Sequence, residues 1–341
     1  MHPNRMKIAF TLLCAALLSA FDAAAQSWVP QTSGTNASFR GIHALSAQTV
    51  WVSGTGGTYL ITTDGGATWR AGKVAGAERL DFRAVWAFDE RTAYLLSIGT
   101  GEQSRIYKTT DGGANWKLLF TNPDAKGFFD GIAFWDSAHG IVAGDTVDGR
   151  TTIFTTADAG ETWQRQNSPE AVGGAEGAFA ASNTSIALYG AHDVWVGTTA
   201  ARVLHSSDNG RTWTAVTTPA RHDSQNAGIF SVAFRDSLHG IAVGGDYSKD
   251  KEARDNIAVT SDGGKTWTAP AGGPAGFRSA VAWVPDRKIW VVTGTSGSDV
   301  STDDGASWKQ FDATSYNGLA FVSGAGWAVG GRGRIAGFKW Q

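Results

Sequence analysis

The sequence has almost no cysteine. Of its 341 residues only Cys14 is a cysteine, and it lies in an apolar stretch near the N-terminus. Without that stretch the chain has no thiol, which excludes disulfides, thiolate metal sites and cysteine nucleophiles. Charged residues are also few, at 18%, and 29 Lys and Arg residues nearly balance 31 Asp and Glu residues. This balance excludes the overall basic field that attracts nucleic acid.

Long apolar runs are equally scarce. The longest covers residues 8–21, follows Arg5 and Lys7, and is too short for a comfortable membrane span. An A-x-A cleavage site follows at residues 23–25. This order of basic, apolar and small residues predicts that residues 1–25 are a signal peptide.

Residues 26–341 are therefore expected to form the exported protein, periplasmic or secreted, which does not span a membrane after cleavage. The alternative is that the N-terminal stretch stays in place as a membrane anchor. A lipoprotein anchor at Cys14 is disfavoured, because Leu13 stands before it where a small residue is expected.

Helical periodicity is missing as well, whereas Gly (44) and Trp (15) are abundant and Pro (8) is not. One eight-residue box that ends in Trp recurs at intervals of roughly 40 to 55 residues, a period typical of propellers and solenoids. Its copies are TTDGGATW, TTDGGANW, TADAGETW, SSDNGRTW, TSDGGKTW and STDDGASW.

Each box follows two short apolar segments separated by a turn that contains Gly, and a third apolar segment stands upstream. Together with the segment after the box, these units read as four β-strands, the composition of a propeller blade. Seven upstream segments predict an all-β fold: a single seven-bladed propeller over residues 26–341, with about 45 residues per blade. Six or eight blades are also compatible with the period.

The last unit stops after three strands, while the segment around Trp28 has no unit of its own. Trp28 stands where the box Trp stands in other units. We therefore expect residues 28–31 to supply the outer strand of the last blade and to close the ring, which removes the open sheet edges.

The box pattern S/T-x-D-x-G-x-T/S-W resembles the Asp-box, or BNR, repeat of sialidases and of non-enzymatic propellers. The D-S-x-H-G-I-x-x-G turns at Asp136–Gly144 and Asp236–Gly244 make the chain most similar to the photosystem II stability/assembly factor family and its non-photosynthetic bacterial relatives. The resemblance implies a propeller that acts as an assembly or binding scaffold.

We interpret the boxes as structural. Their Asp side chains suit backbone N–H groups across a tight turn, and their Trp rings suit packing between blades. Carboxylates at matching turns of separate blades cannot converge on one ligand. The residues concerned are Asp64, Trp69, Asp111, Trp116, Asp158, Trp163, Asp208, Trp213, Asp262, Trp267, Asp303 and Trp308.

The opposite face carries the longer and more polar loops and the first residues of the inner strands. There Arg40, Arg83 and Arg278 each follow a Phe, and Asp145 and Asp246 end second strands. We predict that these five residues line a binding face able to hold a carboxylate or phosphate by bidentate contacts. The alternative is that they are solvated or mutually paired rim charges.

The favoured function is an exported, non-catalytic scaffold that binds an envelope protein, an exported protein or a glycan. We expect this scaffold to be a monomer. We also expect it to use no cofactor and no metal, because the sequence has no dinucleotide fingerprint, P-loop or zinc-protease motif.

The alternative function is a sialidase-like glycoside hydrolase with a clamp of Arg side chains for an acidic substrate. Its candidate catalytic residues are Tyr316 as nucleophile, Glu176 as its helper and Asp130, or alternatively Asp145, as acid/base. The segment FRGI at residues 39–42 departs from the F/Y-R-I-P motif of that family, and seven blades exceed its six.

Overall fold

The computed structural model describes residues 26–340, so the predicted signal peptide lies outside the described residues and stays a prediction. Within this range the chain forms 27 strands and three 3₁₀-helices. The described part contains no helix that is long and apolar enough to cross a membrane.

The strands are arranged in seven antiparallel sheets that follow one another along the chain. The first four blades contain β2 (Phe39–Ala44), β3 (Val50–Gly54), β4 (Thr58–Thr62), β5 (Arg70–Lys73), β6 (Asp81–Ala87), β7 (Ala93–Ile98), β8 (Arg105–Thr109), β9 (Lys117–Thr121), β10 (Phe129–Phe134), β11 (Gly140–Val147), β12 (Arg150–Thr156), β13 (Gln164–Arg165), β14 (Ile186–Tyr189), β15 (Asp193–Gly197), β16 (Arg202–Ser206) and β17 (Thr214–Thr217). The last three contain β18 (Ala227–Phe234), β19 (Gly240–Asp246), β20 (Ile257–Thr260), β21 (Ala280–Val284), β22 (Ile289–Gly294), β23 (Gly297–Ser301), β24 (Lys309–Asp312), β25 (Gly318–Val322), β26 (Ala325–Val329), β27 (Arg334–Lys339) and β1 (Ser27–Thr32).

One edge strand of each sheet lies on the inside of a closed ring: β2, β6, β10, β14, β18, β21 and β25. These inner strands contact one another in chain order, and β25 of the last blade contacts β2 of the first. The predicted all-β, seven-bladed propeller is therefore confirmed. The 3₁₀-helices lie in the loops, at Gly101–Gln103, Val172–Gly174 and Tyr247–Lys249.

The N-terminal strand closes the ring as the sequence indicated. β1 pairs antiparallel with β27, from Ser27 opposite Lys339 to Thr32 opposite Arg334. Trp28 is 6% exposed, and its indole Nε1 donates a 2.9 Å hydrogen bond to Ser298 Oγ of the sixth blade. The closing strand thus joins the last blade to its neighbour as well as completing its own sheet.

The fifth blade has three strands within the described range, although its box was expected to lead into a fourth. After the box, only Thr268 pairs with β20, through mutual backbone hydrogen bonds of 2.9 Å with Val259. Pro270 and Pro274 follow, and neither has an N–H group for a strand ladder. The segment therefore leaves the sheet after a single bridge.

Most of the core lies between neighbouring blades, and the box Trp side chains contribute to it. Trp116 of the second blade packs on Tyr59 and Trp51 of the first, with ring centroids 5.2 and 6.1 Å apart. Gly113 of the same box has φ +87°, and a Cβ there would lie 2.6 Å from the Tyr59 ring. The box glycine therefore allows both the left-handed turn and this close approach.

The box carboxylate holds the turn together. Oδ1 of Asp111 accepts hydrogen bonds from Thr109 Oγ1 at 2.8 Å and from the Asn115 N–H at 2.9 Å, while Oδ2 accepts from Asn115 Nδ2 at 2.8 Å. The same pattern recurs at the other five boxes, through Asp64, Asp158, Asp208, Asp262 and Asp303. The geometry is that of a folding device repeated with the blade.

Replacing Asp111 with alanine is expected to lower the free energy of unfolding, because the backbone N–H and side chain of Asn115 lose their acceptor. The hydrogen bonds from Asn115 and Thr109 lower the pKa of Asp111 to about 2, from 3.8. Stability from this carboxylate is therefore full above pH 4 and is lost as the pH falls towards 2. Urea unfolding of wild type and Asp111→Ala should converge over that interval, and a constant difference would contradict the electrostatic origin.

Candidate binding site at the channel mouth

A cavity of about 390 Å³ opens where the inner strands begin. Its lining residues come from the first, second, fifth, sixth and seventh blades and from the connection between the third and fourth blades. They are Arg40, Arg83, Phe179, Ala180, Ala181, Phe230, Tyr247, Phe277, Ser279, Thr295 and Asn317. Because almost every blade contributes a lining residue, the cavity lies on the axis of the ring, at the mouth of the central channel.

Arg40 brings an unpaired positive charge into this cavity. Its half-buried guanidinium has no hydrogen-bond or ion-pair partner among residues 26–340. Burial and, to a lesser extent, the neighbouring charge of Arg83 lower the pKa of Arg40 to about 10, while Asp81 opposes both effects. The side chain is still a cation at neutral pH, so the site has a charge that an anionic ligand would neutralise.

Arg83 lies beside Arg40 but is held in place. Its Nε donates a 2.9 Å hydrogen bond to Asp81 Oδ2, and its Nη1 donates a 3.2 Å hydrogen bond to the Ala180 carbonyl. These contacts fix the position of the guanidinium and leave part of its donor fork directed at the cavity, since Arg has five N–H donors. Arg40 and Arg83 together carry two positive charges, and Asp81 carries one negative charge. The mouth therefore has a net charge of about +1.

The opposite wall is aromatic. The rings of Phe179 and Phe230 are stacked 3.6 Å apart, and Phe277 meets Phe230 edge-on at 4.6 Å. Tyr247, on the loop after β19, is 50% exposed and lies 6.1 Å from Phe230. A ligand of this cavity therefore gains from apolar groups next to its anionic group.

Polar groups complete the cavity between the two walls. Asn317 Nδ2 donates to the Phe39 carbonyl at 2.8 Å, and Ser279 Oγ donates to the Asn317 carbonyl at 2.7 Å. The buried Oγ1 of Thr295 has no hydrogen-bond partner in the described part of the chain.

Arg278 was predicted to lie at this mouth, and that placement is wrong. Its side chain is 0% exposed and ion-paired with the buried Asp299 through Nε at 2.6 Å. Nη1 donates to the Phe277 carbonyl and to Ser296 Oγ, both at 2.7 Å. Ser279, the next residue, lines the cavity instead.

The two predicted acidic positions are also separated from the mouth. Asp246 is 2% exposed and accepts 2.9 Å hydrogen bonds from the Ser248 N–H and the Ser224 hydroxyl. Burial raises its pKa, but these hydrogen bonds and the nearby Arg221 outweigh burial and hold the pKa below its ordinary value. Asp145 lines a different cavity, between the third, fourth and fifth blades.

The candidate catalytic residues of the hydrolase hypothesis do not form one site. Tyr316 is buried against Trp28, 5.7 Å between ring centroids, where burial raises its pKa to about 12. Glu176 is 1% exposed, and its carboxylate is bound by Arg202, with Nε to Oε1 at 3.0 Å. Neither residue lines the channel mouth, and they line no described cavity together.

Asp130, the third candidate, is buried behind the mouth. It is 2% exposed, and burial together with the charge of Asp145 raises its pKa well above the ordinary value. Its Oδ2 accepts a 3.3 Å hydrogen bond from the Ala178 N–H. A carboxyl group in this position has no open path to a substrate at the mouth and serves as part of the wall.

Sequence reasoning placed Arg40 and Arg83 together at the mouth but missed the aromatic wall. Phe179, Phe230, Phe277 and Tyr247, which form that wall, have no role in the prediction from sequence. A usable signal was present, because an aromatic residue in a long polar loop, such as Tyr247, is a common feature of binding surfaces.

Residues 122–276, somewhat under half of the chain, match the sequence profile of a family described as photosynthesis system II assembly factor YCF48. A search of the curated proteins found no match. The resemblance predicted from the boxes and turns is therefore confirmed by a family profile as well as by the fold.

Two solved structures share the fold over nearly their whole length. A structure of YCF48 bound to a D1 peptide has a TM-score of 0.65 at 17% identity, covering 94% of this chain and 99% of that one. Virginiamycin B lyase from Staphylococcus aureus has a TM-score of 0.66 at 12% identity, covering 93% and 100%. At these identities the likeness concerns the fold.

Proposed function

We propose that this chain, a seven-bladed propeller similar to the YCF48 assembly factors, is an exported binding scaffold that captures an acidic segment of a partner protein at the channel mouth. The single observation that carries the proposal is the unpaired, half-buried guanidinium of Arg40 beside Arg83. A partly buried cation without a direct ion-pair partner costs free energy, which a bound carboxylate would recover.

The composition of the cavity supports a peptide ligand. The Arg side chains suit a carboxylate, and the wall formed by Phe179, Phe230 and Phe277 suits apolar side chains next to it. A volume of about 390 Å³ holds a few residues, not a folded domain. The YCF48 structure mentioned above has a peptide bound, which supports a protein as the partner.

The geometry does not favour the glycoside hydrolase. Of the Arg clamp, only Arg40 and Arg83 line the mouth. Glu176 is bound by Arg202, and Asp130 is buried. We therefore keep a glycan only as a second kind of ligand for the scaffold, which the experiment below distinguishes from a protein.

Export remains part of the proposal. It is supported by the order of Arg5, Lys7 and the apolar run that follows them. A cleavage after Ala25 would leave only Gln26 ahead of the closing strand, so the ring could close without an overhanging segment.

The test is capture of partners from a detergent-solubilised envelope extract of the source organism by the immobilised protein, residues 26–341. We expect Arg40→Ala to retain about 10- to 100-fold less of its partner than wild type, because a charge-assisted hydrogen bond contributes roughly 1.5–3 kcal/mol. Quantitative mass spectrometry of the retained proteins measures this, and protease or glycosidase treatment of the extract distinguishes protein from glycan.

Arg91→Ala is the matched control. Arg91 is exposed in the turn between β6 and β7, and its carbonyl accepts a 2.9 Å hydrogen bond from Gly112 of a box turn, on the opposite face. The variant loses the same charge away from the cavity. Equal retention by wild type, Arg91→Ala and Arg40→Ala would overturn the proposal.

A further inference from the structure

A second cavity, of about 580 Å³, lies beside the channel mouth on the same face. It is polar, in contrast to the first. Its lining residues are Lys126, Asp145, Thr146, Gly174, Ala175, Glu176, Gly177, Thr199, Ala200, His222, Ser224, Gln225 and Ala227.

Asp145 is the unpaired acid of this cavity. Its half-buried carboxylate has no hydrogen-bond or ion-pair partner in the described range 26–340, whereas Glu176 is neutralised by Arg202. A Cβ on Gly177 would lie 1.7 Å from Asp145 Oδ1, so the carboxylate rests directly against the backbone of the cavity wall. Burial raises the pKa of Asp145 to about 6, and a bound cation would relieve this cost.

Two other groups in the cavity have different roles. His222 Nδ1 is engaged with the Ala220 carbonyl at 3.1 Å. Lys126 is exposed, and its ammonium makes no ion pair with an acid of residues 26–340. The negative charge of Asp145 is therefore not balanced within the cavity.

A rigid wall separates the two cavities. The Gly177 carbonyl accepts a 2.9 Å hydrogen bond from the Thr199 N–H, and the Gly177 N–H donates to Thr199 Oγ1 at 3.2 Å. Towards the third blade, the Glu176 carbonyl accepts a 3.1 Å hydrogen bond from the N–H of Thr146 in β11. The wall is thus tied to the third and the fourth blade.

The cavities are close enough for one short segment to reach both. Gly177 lines the second cavity and Ala180 lines the mouth, so at most about 10 Å of extended chain separates them. Asp130, behind the wall, is within reach of the charges of both Asp145 and Arg83. The face is therefore positive at the mouth and negative about three residues away.

We propose that Asp145 forms a second subsite that binds a Lys or Arg side chain of the captured segment, about three residues from the acidic group held by Arg40 and Arg83. The inference rests on the proposed function, because it assumes that a peptide occupies the mouth. It adds a requirement for a cation and gives the bound segment a direction along the face.

The test uses four fluorescein-labelled hexapeptides and fluorescence anisotropy. In the first pair, one peptide contains Lys-Ala-Phe-Glu and the other has norleucine in place of the lysine. In the second pair, both sequences are written in the reverse order, Glu-Phe-Ala-Lys and its norleucine counterpart. For one order, we expect the lysine peptide to bind wild type about five- to tenfold more tightly than its norleucine counterpart, as for a partly buried ion pair. In Asp145→Asn this ratio should fall to about one, with the norleucine peptide unaffected.

Two variants separate the possible failures. If Arg40→Ala weakens the binding of all peptides but the lysine and norleucine peptides bind wild type equally, the docking site at the mouth is supported and the cation subsite is wrong. If no peptide binds in an Arg40-dependent way, the proposed function fails together with the subsite. The lysine and norleucine peptides could bind wild type equally, and yet the lysine peptide could bind Lys126→Met more tightly. That result would show that Lys126 itself fills the subsite, and the proposal that a ligand cation binds there would be wrong.

Discussion

Replacing Trp28 with alanine is expected to lower the free energy of unfolding by about 3–5 kcal/mol, the usual cost of removing a buried Trp side chain. The Trp28 ring packs edge-on against Phe338 of the same blade at 4.8 Å and on Phe311 of the sixth blade at 6.1 Å. The variant also removes the hydrogen bond that Ser298 Oγ accepts from the indole N–H. Guanidinium unfolding followed by Trp fluorescence and circular dichroism measures the loss.

The control for this prediction is on the same strand. Val29 is 44% exposed on the other side of β1, so Val29→Ala keeps the strand pairing and should change stability by less than about 0.5 kcal/mol. If Trp28→Ala cost no more than Val29→Ala, the closing strand would not be an integral part of the core, and the account of ring closure given above would be wrong.

Replacing Arg278 with methionine is expected to cost about 3–5 kcal/mol, because breaking a buried ion pair leaves its partner charge uncompensated. The partner is Asp299, which is 0% exposed. Arg278 also donates to the Phe277 carbonyl and Ser296, so the loss includes two neutral acceptors. Urea unfolding at neutral pH measures the change.

The double variant Arg278→Met/Asp299→Leu should recover most of this loss, since an apolar pair of similar volume often replaces a buried ion pair without penalty. Arg40→Met is the matched control, because Arg40 has no partner among the described residues to leave unpaired. A single variant Arg278→Met as stable as wild type would show that the pair does not hold the sixth blade together.

The contrast between Arg40 and Arg278 shows where sequence reasoning reached its limit. Both follow a Phe at the start of an inner strand. In the first blade the pairing of β2 with β3 shifts register between Phe39 and Ile42, whereas β21 pairs regularly with β22 from Ala280 onward. Arg278 precedes that strand, its N–H donates to the Gly244 carbonyl, and its side chain turns towards Asp299.

The fold was more predictable than the site because its signals are local and repeated. Each box contains its own hydrogen-bond donors and acceptors within eight residues, as the contacts of Asp111 illustrate. The closing strand was predictable for a related reason, since a unit with three strands and a strand without a unit complement each other. The aromatic wall depends on residues from distant blades, such as Phe179 and Phe230, which no local pattern brings together.

The partial burial of acids could not be predicted either. Asp145 directly follows Gly144, whereas Gly245 separates Asp246 from the equivalent Gly244. Asp145 is unpaired, and Asp246 is enclosed by Ser224, Ser248 and Arg221. Because successive residues of a strand point to opposite faces, this offset of one residue places the two carboxylates in different surroundings.

The pairing of β1 with β27 has a consequence for the order in which the molecule forms during synthesis. Ser27 is among the first residues of the described chain to leave the ribosome, and its partner Lys339 is among the last. The first six blades each draw their strands from one continuous stretch, so they can form from contacts that are local in sequence. The seventh sheet cannot be completed until β27 has been synthesised, so β1 stays without its strand partner while the strands of the other six blades are made.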